Sequence, residues 1–185
     1  MGSETLYSCM ANIMNQPINH AGSPVRWVVM GVCGCGKSEI GRALASSLQV
    51  RFLEGDSFHS PANVAKMAAG TPLEDADRAD WLLRLQGEIA AARERGEGLV
   101  LSCSSLKRRY RDLLRAGDPG LRFAHLSGAR ALIEERMRSR TDHYMPTSLL
   151  DSQLRDLEPL EPDEAGVELD IGRLPAALID DILHA

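Results

Sequence analysis

The sequence predicts an α/β fold, a three-layer arrangement in which a five-stranded parallel sheet carries helices on both faces, plus a lid. Three observations predict it. Short apolar runs at 28–30, 51–54, 98–103, 121–126 and 167–171 read as strands, and stretches with helical periodicity separate them. Residues 31–38 fit the pattern G-x-x-x-x-G-K-S/T in full, between the first apolar run and a helical stripe. The two long polar insertions fall after the second strand and after the helix that follows the fourth. Both would overhang the carboxyl edge of the sheet, where ligands of open α/β folds bind.

Each element has its own justification. After the loop, Ile40, Ala43, Leu44 and Leu48 recur at intervals of three and four, so a helix follows directly. Residues 63–69 suit a short helix, stopped by Gly70, Thr71 and Pro72. A longer amphipathic helix begins at Trp81, with Leu82, Leu85, Ile89 and Ala92 on one face, and closes near Gly96. Leu106, Tyr110, Leu113 and Leu114 give the next helical face, and the turn at 117–120 ends it. Ala129, Leu132, Ile133, Arg136 and Met137 share a face ahead of the polar stretch SRTDHYMPTS. Leu150, Leu154 and Leu157 mark a further helix, and Pro175 opens a last one carrying Leu178 and Ile182.

The chemistry of the glycine-rich stretch follows from its spacing. Gly31, Gly34 and Gly36 let the backbone of Val32, Cys33 and Cys35 curl so that successive N–H groups point inward. The helix that follows adds the positive end of its dipole, making a cradle for anionic oxygens. Lys37 is placed to reach the β- and γ-phosphates, and the Ser38 hydroxyl to ligate Mg²⁺. The pattern thus implies a nucleoside triphosphate, ATP or GTP, with its metal.

The rest of the composition narrows the class. With 185 residues the chain is long enough for one domain with a substantial core. The formal net charge of −5 gives no reason to expect a nucleic-acid or anionic-membrane partner. No apolar run is long enough to span a bilayer. Two of the four cysteines sit inside the phosphate loop and none has zinc-site spacing, which points to a reducing, cytoplasmic setting. Residues 1–24 contain no Lys or Arg and read as a loosely docked extension, without the form of a signal or transit peptide. A translational-type GTPase needs an N-K-x-D reader, which is missing. The one D-x-x-G match, at 163–166, lies in a proline-rich loop and reads as chance. The third strand ends in Ser102, Cys103 and Ser104, weak metal ligands where motor-type ATPases carry carboxylates. A small kinase with a P-loop kinase fold over 25–185 remains, with an acceptor-binding insertion at about 55–82 and a lid at about 136–147.

At this point the residues resemble a known family. GDSFHSPANVAKMAAGTPLEDADRADWL is similar to the gluconokinase pattern GD-x-x-H-P-x-x-N-x-x-K-M-x-x-G-x-P-L-x-D-x-D-R-x-P-W-L. SCSSLKRRYRDLLR and DSQLRDLEPLEPDE resemble two further blocks of the same family, so the likeness covers roughly residues 25–185. It implies transfer of the γ-phosphate of ATP to the 6-hydroxyl of D-gluconate, with Mg²⁺, commonly by a homodimer. Departures from the pattern include Cys33 and Cys35 for serines, Ser60 and Asp80 for prolines, Ser105 for alanine, Leu154 for phenylalanine and Asp142 for glycine. The alternatives within the fold are a kinase of another small hydroxylated acid or of a nucleoside monophosphate, shikimate- or adenylate-kinase-like. Outside it stands a non-catalytic nucleotide-binding module.

Candidate roles follow. Asp56, past the second strand, is placed either to orient and deprotonate the acceptor hydroxyl or to hold a Mg²⁺ water. A carboxylate-bearing polyol needs cations and neutral donors, and His59, Lys66, Arg78, Ser104, Lys107 and Arg111 occupy matched positions. Arg78 reads equally well as an ion-pair partner of Asp75 or Asp77. Lys107 and Arg111, four apart, would share a helix face. Arg136 and Arg140, also four apart, enter the lid stretch and would close over ATP, with His143 and Tyr144 in the same lid or at its hinge. Met67 and Trp81 read as packing residues. Cys33 and Cys35 lie in a field that favours thiolates, and Cys103 would lie on a strand beside the first.

Overall fold

Strand β1 (Arg26–Met30) is buried along its whole length and forms the middle of the sheet. The computed structural model describes residues 24–139 and 147–185. β1 is flanked by β3 (Leu99–Ser102) and β4 (Arg122–Ser127), with β2 (Arg51–Glu54) and β5 (Gly166–Asp170) at the two edges. The order is β2-β3-β1-β4-β5, and every pairing is parallel. In register Trp27 lies opposite Val100 and Arg122, and Val28 opposite Leu101 and Phe123. The direction of winding reverses at β1, so a crevice opens beyond its carboxyl end.

The two faces of the sheet bury separate cores, as side-chain alternation requires. Trp27 and Val29 face helix α1 (Lys37–Leu48), which buries Ile40, Leu44, Ala45 and Leu48 there. On the same face lie Ile133 of α5 (Arg130–Arg138), Leu150 of α6 (Thr147–Asp156), and Leu178 and Ile182 of α7 (Pro175–His184). Val28 and Met30 face the other way, toward Trp81, Leu85 and Ile89 of α3 (Asp75–Glu94) and Tyr110 and Leu114 of α4 (Arg108–Arg115). Completing the set, a 3-10 turn (Gly55–Phe58) and α2 (Pro61–Ala68) follow β2. Pro61 sits in the first turn of α2, and the Ser60 hydroxyl caps it by accepting the Asn63 N–H at 3.2 Å. The predicted three-layer α/β arrangement is therefore present, with five strands and seven helices among the described residues.

Two boundaries differ from the sequence reading. Helix α3 starts at Asp75 and not at Trp81, because a capping box closes on Glu74 and Asp77, with the Glu74 N–H donating to Asp77 Oδ2 at 2.8 Å. Its first turns are charged, so apolar periodicity begins only at Trp81. Helix α4 starts at Arg108, leaving Lys107 as an extended N-cap residue (φ −99°, ψ 145°). Lys107 and Arg111 consequently do not share a helical face.

Candidate functional site

The phosphate loop occupies the crevice at the end of β1. Its backbone needs glycine at two positions above all. Gly36 caps α1 at φ 93°, and at Gly34 (φ 79°) a Cβ would sit 2.6 Å from Met137 Cγ. The resulting curl leaves the start of α1 uncapped by any side chain, a built anion cradle. Lys37 folds back over the loop and donates from Nζ to the Val32 carbonyl at 2.9 Å. Burial opposes its charge, but the coulombic interactions with Cys35, Asp56 and the neighbouring cysteines outweigh that and hold its pKa above the ordinary value. Lys37 is thus a cation at neutral pH.

The loop divides two depressions. On one side a cleft of about 590 Å³ is lined by Cys33, Lys37, Asp56, His59, Arg78 and Ser104. Six predicted residues from four separate chain segments therefore meet in one cavity. On the other side, a hollow of about 780 Å³ is lined by Gly34, Cys35, Gly36, Glu39, Arg136 and Arg173. Arg136 is held at its rim by donating Nη2 to the Ile171 carbonyl at 2.9 Å. The arrangement suits a triphosphate running from the second hollow over the loop toward an acceptor in the first.

Asp56 is positioned by a chain of contacts. Gly55 lies so close to β3 that a Cβ there would meet the Ser102 carbonyl oxygen at 2.2 Å. Its N–H donates to Ser102 Oγ at 3.3 Å, the Ser102 hydroxyl donates to Glu54, and its carbonyl accepts from Trp81 Nε1 at 2.8 Å. The turn carrying Asp56 is pinned on both sides, while the carboxylate itself stays exposed. Trp81 also stacks on His59 with ring centroids 4.2 Å apart. Partial burial lowers the His59 pKa, with Arg78 adding to the shift and Asp56 opposing it, so the ring is neutral at pH 7. His59 Nδ1 has no partner among the described residues. The ring itself lines the cleft.

Other predicted residues lie elsewhere. Arg111 is wholly buried, gripping Glu164 with Nε at 2.6 Å and Nη2 at 2.7 Å and donating further to the carbonyls of Leu106, Glu158 and Pro159. It is a structural clamp and cannot reach an acceptor. Lys66 is 46% exposed and paired with Asp77 at 2.6 Å, outside the cleft lining. Lys107 binds Asp75 at 3.1 Å and approaches Asp156 at 3.6 Å, on a groove that adjoins the cleft through Arg78. Arg78 itself serves both readings: it lines the cleft, yet it donates to the Tyr110 hydroxyl at 3.3 Å and lies 3.6 Å from Asp156 rather than beside Asp75 or Asp77. Ser38 follows Lys37 in the first turn of α1 and is partly exposed. Arg140, His143 and Tyr144, most of the 136–147 lid, and all of the 1–24 extension but Pro24 lie outside the described residues.

Sequence reasoning missed three contributors. Trp81 is 2% exposed, as a packing residue should be, yet it also borders the cleft and holds the Asp56 turn. Gln153, given no role in the sequence reading, accepts the Cys33 N–H through Oε1 at 2.7 Å and lines the cleft. Arg173, in the turn before α7, borders the second hollow. The D-S-Q-L block that carried the family likeness was the available signal for Gln153. Cys103 does lie beside β1, its N–H donating to Val29 O at 3.1 Å, but burial pushes its thiol up to about 12. That thiol is inert at neutral pH.

Comparisons with known proteins agree with this geometry. A family model for shikimate kinase matches residues 33–154, from within the phosphate loop to the last turn of α6. A gluconokinase of Gluconobacter oxydans is 41% identical over 157 residues, 85% of this chain and 88% of its own. Among solved structures, an unliganded sugar kinase from Janibacter sp. superposes with a TM-score of 0.83 at 46% identity, covering 86% of this chain and 92% of the other. A gluconokinase from Sinorhizobium meliloti gives 0.80 at 42% identity, covering 87% and 90%. With relatives above 40% identical over more than four fifths of its length, the chain belongs to the gluconokinases, a family of small-molecule P-loop kinases.

Proposed function

We propose that this protein transfers the γ-phosphate of ATP to the 6-hydroxyl of D-gluconate, giving 6-phospho-D-gluconate and ADP. The observation that carries this reading is the convergence of Lys37 from the phosphate loop with Asp56, His59, Arg78 and Ser104 on one cleft. Phosphoryl transfer asks a protein mainly to position its partners and neutralise charge. Lys37 supplies a fixed cation at the loop. Asp56, exposed on a pinned turn, orients the acceptor hydroxyl and takes its proton as the oxygen attacks. His59 and Ser104 offer neutral hydrogen-bonding groups to the polyol, and Arg78 offers a cation to its carboxylate. Arg136 sits where it can stabilise the nucleotide from the other side of the loop, and we assign Arg140 to the same duty in the lid.

The oxygen donors around Lys37, the Ser38 hydroxyl and the Asp56 carboxylate, suit Mg²⁺, a hard cation. Ser38 is the residue that would hold it, and when bound the ion neutralises charge on the β- and γ-phosphates. We further read the chain as a kinase domain at 25–185 behind a dispensable extension, acting in the cytoplasm as a homodimer. The family likeness supports the dimer, and sedimentation tests it.

The deciding experiment is a coupled ADP-release assay across gluconate, other aldonates, shikimate and AMP, with and without chelator. Gluconate should give the highest kcat/KM, and EDTA should abolish turnover. A preference for shikimate or AMP would overturn the acceptor assignment. Asp56→Asn should leave nucleotide binding intact and lose most of kcat. Collapse of ATP–Mg²⁺ affinity with kcat preserved would instead make Asp56 a metal-shell residue.

A further inference from the structure

Gln153 stands where the two halves of the site meet. Of the loop residues, Cys33 and Lys37 border the acceptor cleft, whereas Gly34, Cys35 and Gly36 border the hollow on the far side. The Cys33 N–H therefore marks the loop's acceptor side, and it is this N–H that Gln153 engages at 2.7 Å, across 120 residues of sequence. An N–H donor requires an acceptor, so the amide oxygen of Gln153 must face the loop. Its NH₂ group then necessarily faces away from the loop. Those two donors have no partner among the described residues, and the side chain lines the same cleft as Asp56, His59 and Ser104.

We infer that Gln153 is an acceptor-binding residue, its oxygen fixed on the phosphate loop and its NH₂ donating to a hydroxyl of the bound sugar acid. The inference rests on the acceptor assignment above and adds to it a residue on α6. A donor tied directly to the loop registers the acceptor against the phosphate that the loop holds. Such a donor also gives the site a means of discriminating among polyols, since it favours the acceptor whose hydroxyl reaches it.

The test uses the full-length protein, Gln153→Leu and Gln153→Glu, with whichever acceptor of the assay panel the wild type turns over. Wild-type turnover tests the acceptor assignment, and the variants test Gln153 independently of it. Leucine removes both halves of the bridge; glutamate keeps an oxygen for Cys33 N–H and removes the donor. Both variants should raise the acceptor KM about fivefold to tenfold, the loss of roughly one hydrogen bond. The glutamate variant should keep the ATP KM within about twofold. Monodeoxy analogues of the acceptor give the readout that a purely structural role would not move. For one hydroxyl position, the wild type should be impaired by the deoxy substrate, while Gln153→Leu should show no further loss. If the penalties add at every position, or if only the ATP KM changes, Gln153 is a brace for the loop and the inference fails.

Discussion

Arg111 and Lys37 are both cations held by protein partners, and their surroundings give them opposite duties. Arg111 has 0% side-chain exposure and every guanidinium edge engaged, so its energy belongs to the fold. Arg111→Ala leaves Glu164 charged and buried, and should lower unfolding free energy by about 3–5 kcal/mol in urea titration. Acceptor KM of the remaining folded enzyme should not change; a large rise would return Arg111 to the binding site. Lys37 holds only a loop carbonyl, a contact that a phosphate can replace. Lys37→Ala should reduce turnover by at least about two orders of magnitude with an unaltered melting curve. Near-normal turnover would remove the phosphate loop from the mechanism. At the same scale, a Cys103 thiol raised to about 12 is thiolate in only about one molecule in ten thousand at pH 8. Alkylation followed by peptide mass spectrometry should leave Cys103 unmodified in the native protein and label it after denaturation.

Helix α3 is the element on which most of the acceptor side depends. It carries Arg78 and Trp81, and its start is fixed by the Glu74–Asp77 capping box, with Asp77 held also by Lys66. Glu74→Ala should cost about 1 kcal/mol of stability, since one N-terminal N–H loses its acceptor. The same variant should raise the acceptor KM more than the ATP KM, because Trp81 and Arg78 lie within the first two turns. Equal effects on both substrates would detach the cap from the acceptor site. The helix was legible in sequence from Trp81 onward, where Leu82, Leu85 and Ile89 repeat. Its first turns were not, because their charged residues follow capping chemistry instead of apolar periodicity. The same cause moved Lys107 off the helix: Leu106 is buried beneath the extended segment ahead of α4, and its apolar character imitates a helical position.

At the scale of the whole molecule, two arms tie the carboxyl-terminal loop to the sheet's helical layer. Glu164 accepts from Arg111 and Arg115, and Asp163 pairs with Arg108 at 2.8 Å. The D-x-x-G match at 163–166, read from sequence as chance, thus lies in an anchoring loop. Burial opposes the Glu164 charge, but Arg111 and the Glu161 N–H prevail and hold its pKa below the usual glutamate value. A folded pKa depressed in this way contributes stability above the unfolded value of 4.5, and that contribution fades as pH falls through the folded one. Glu164→Gln should therefore be less stable than wild type at pH 7, with the gap narrowing below about pH 4 in denaturant melts. A gap independent of pH would show that packing, not charge, is what the glutamine loses. The sequence by itself determined the layers, the strand count, the phosphate loop and the family, because these rest on local signals: glycine spacing, short apolar runs and a long irregular signature. It also named Lys37, Asp56, His59, Arg78 and Ser104, which the fold brings together on one cleft. Only the tertiary structure decided which cations face the cleft, since Arg111, Lys66 and Lys107 look identical to Arg78 until their carboxylate partners are in place. It alone revealed the Gln153 bridge and the Trp81 clamp, for a hydrogen bond spanning 120 residues leaves no periodic trace in the chain.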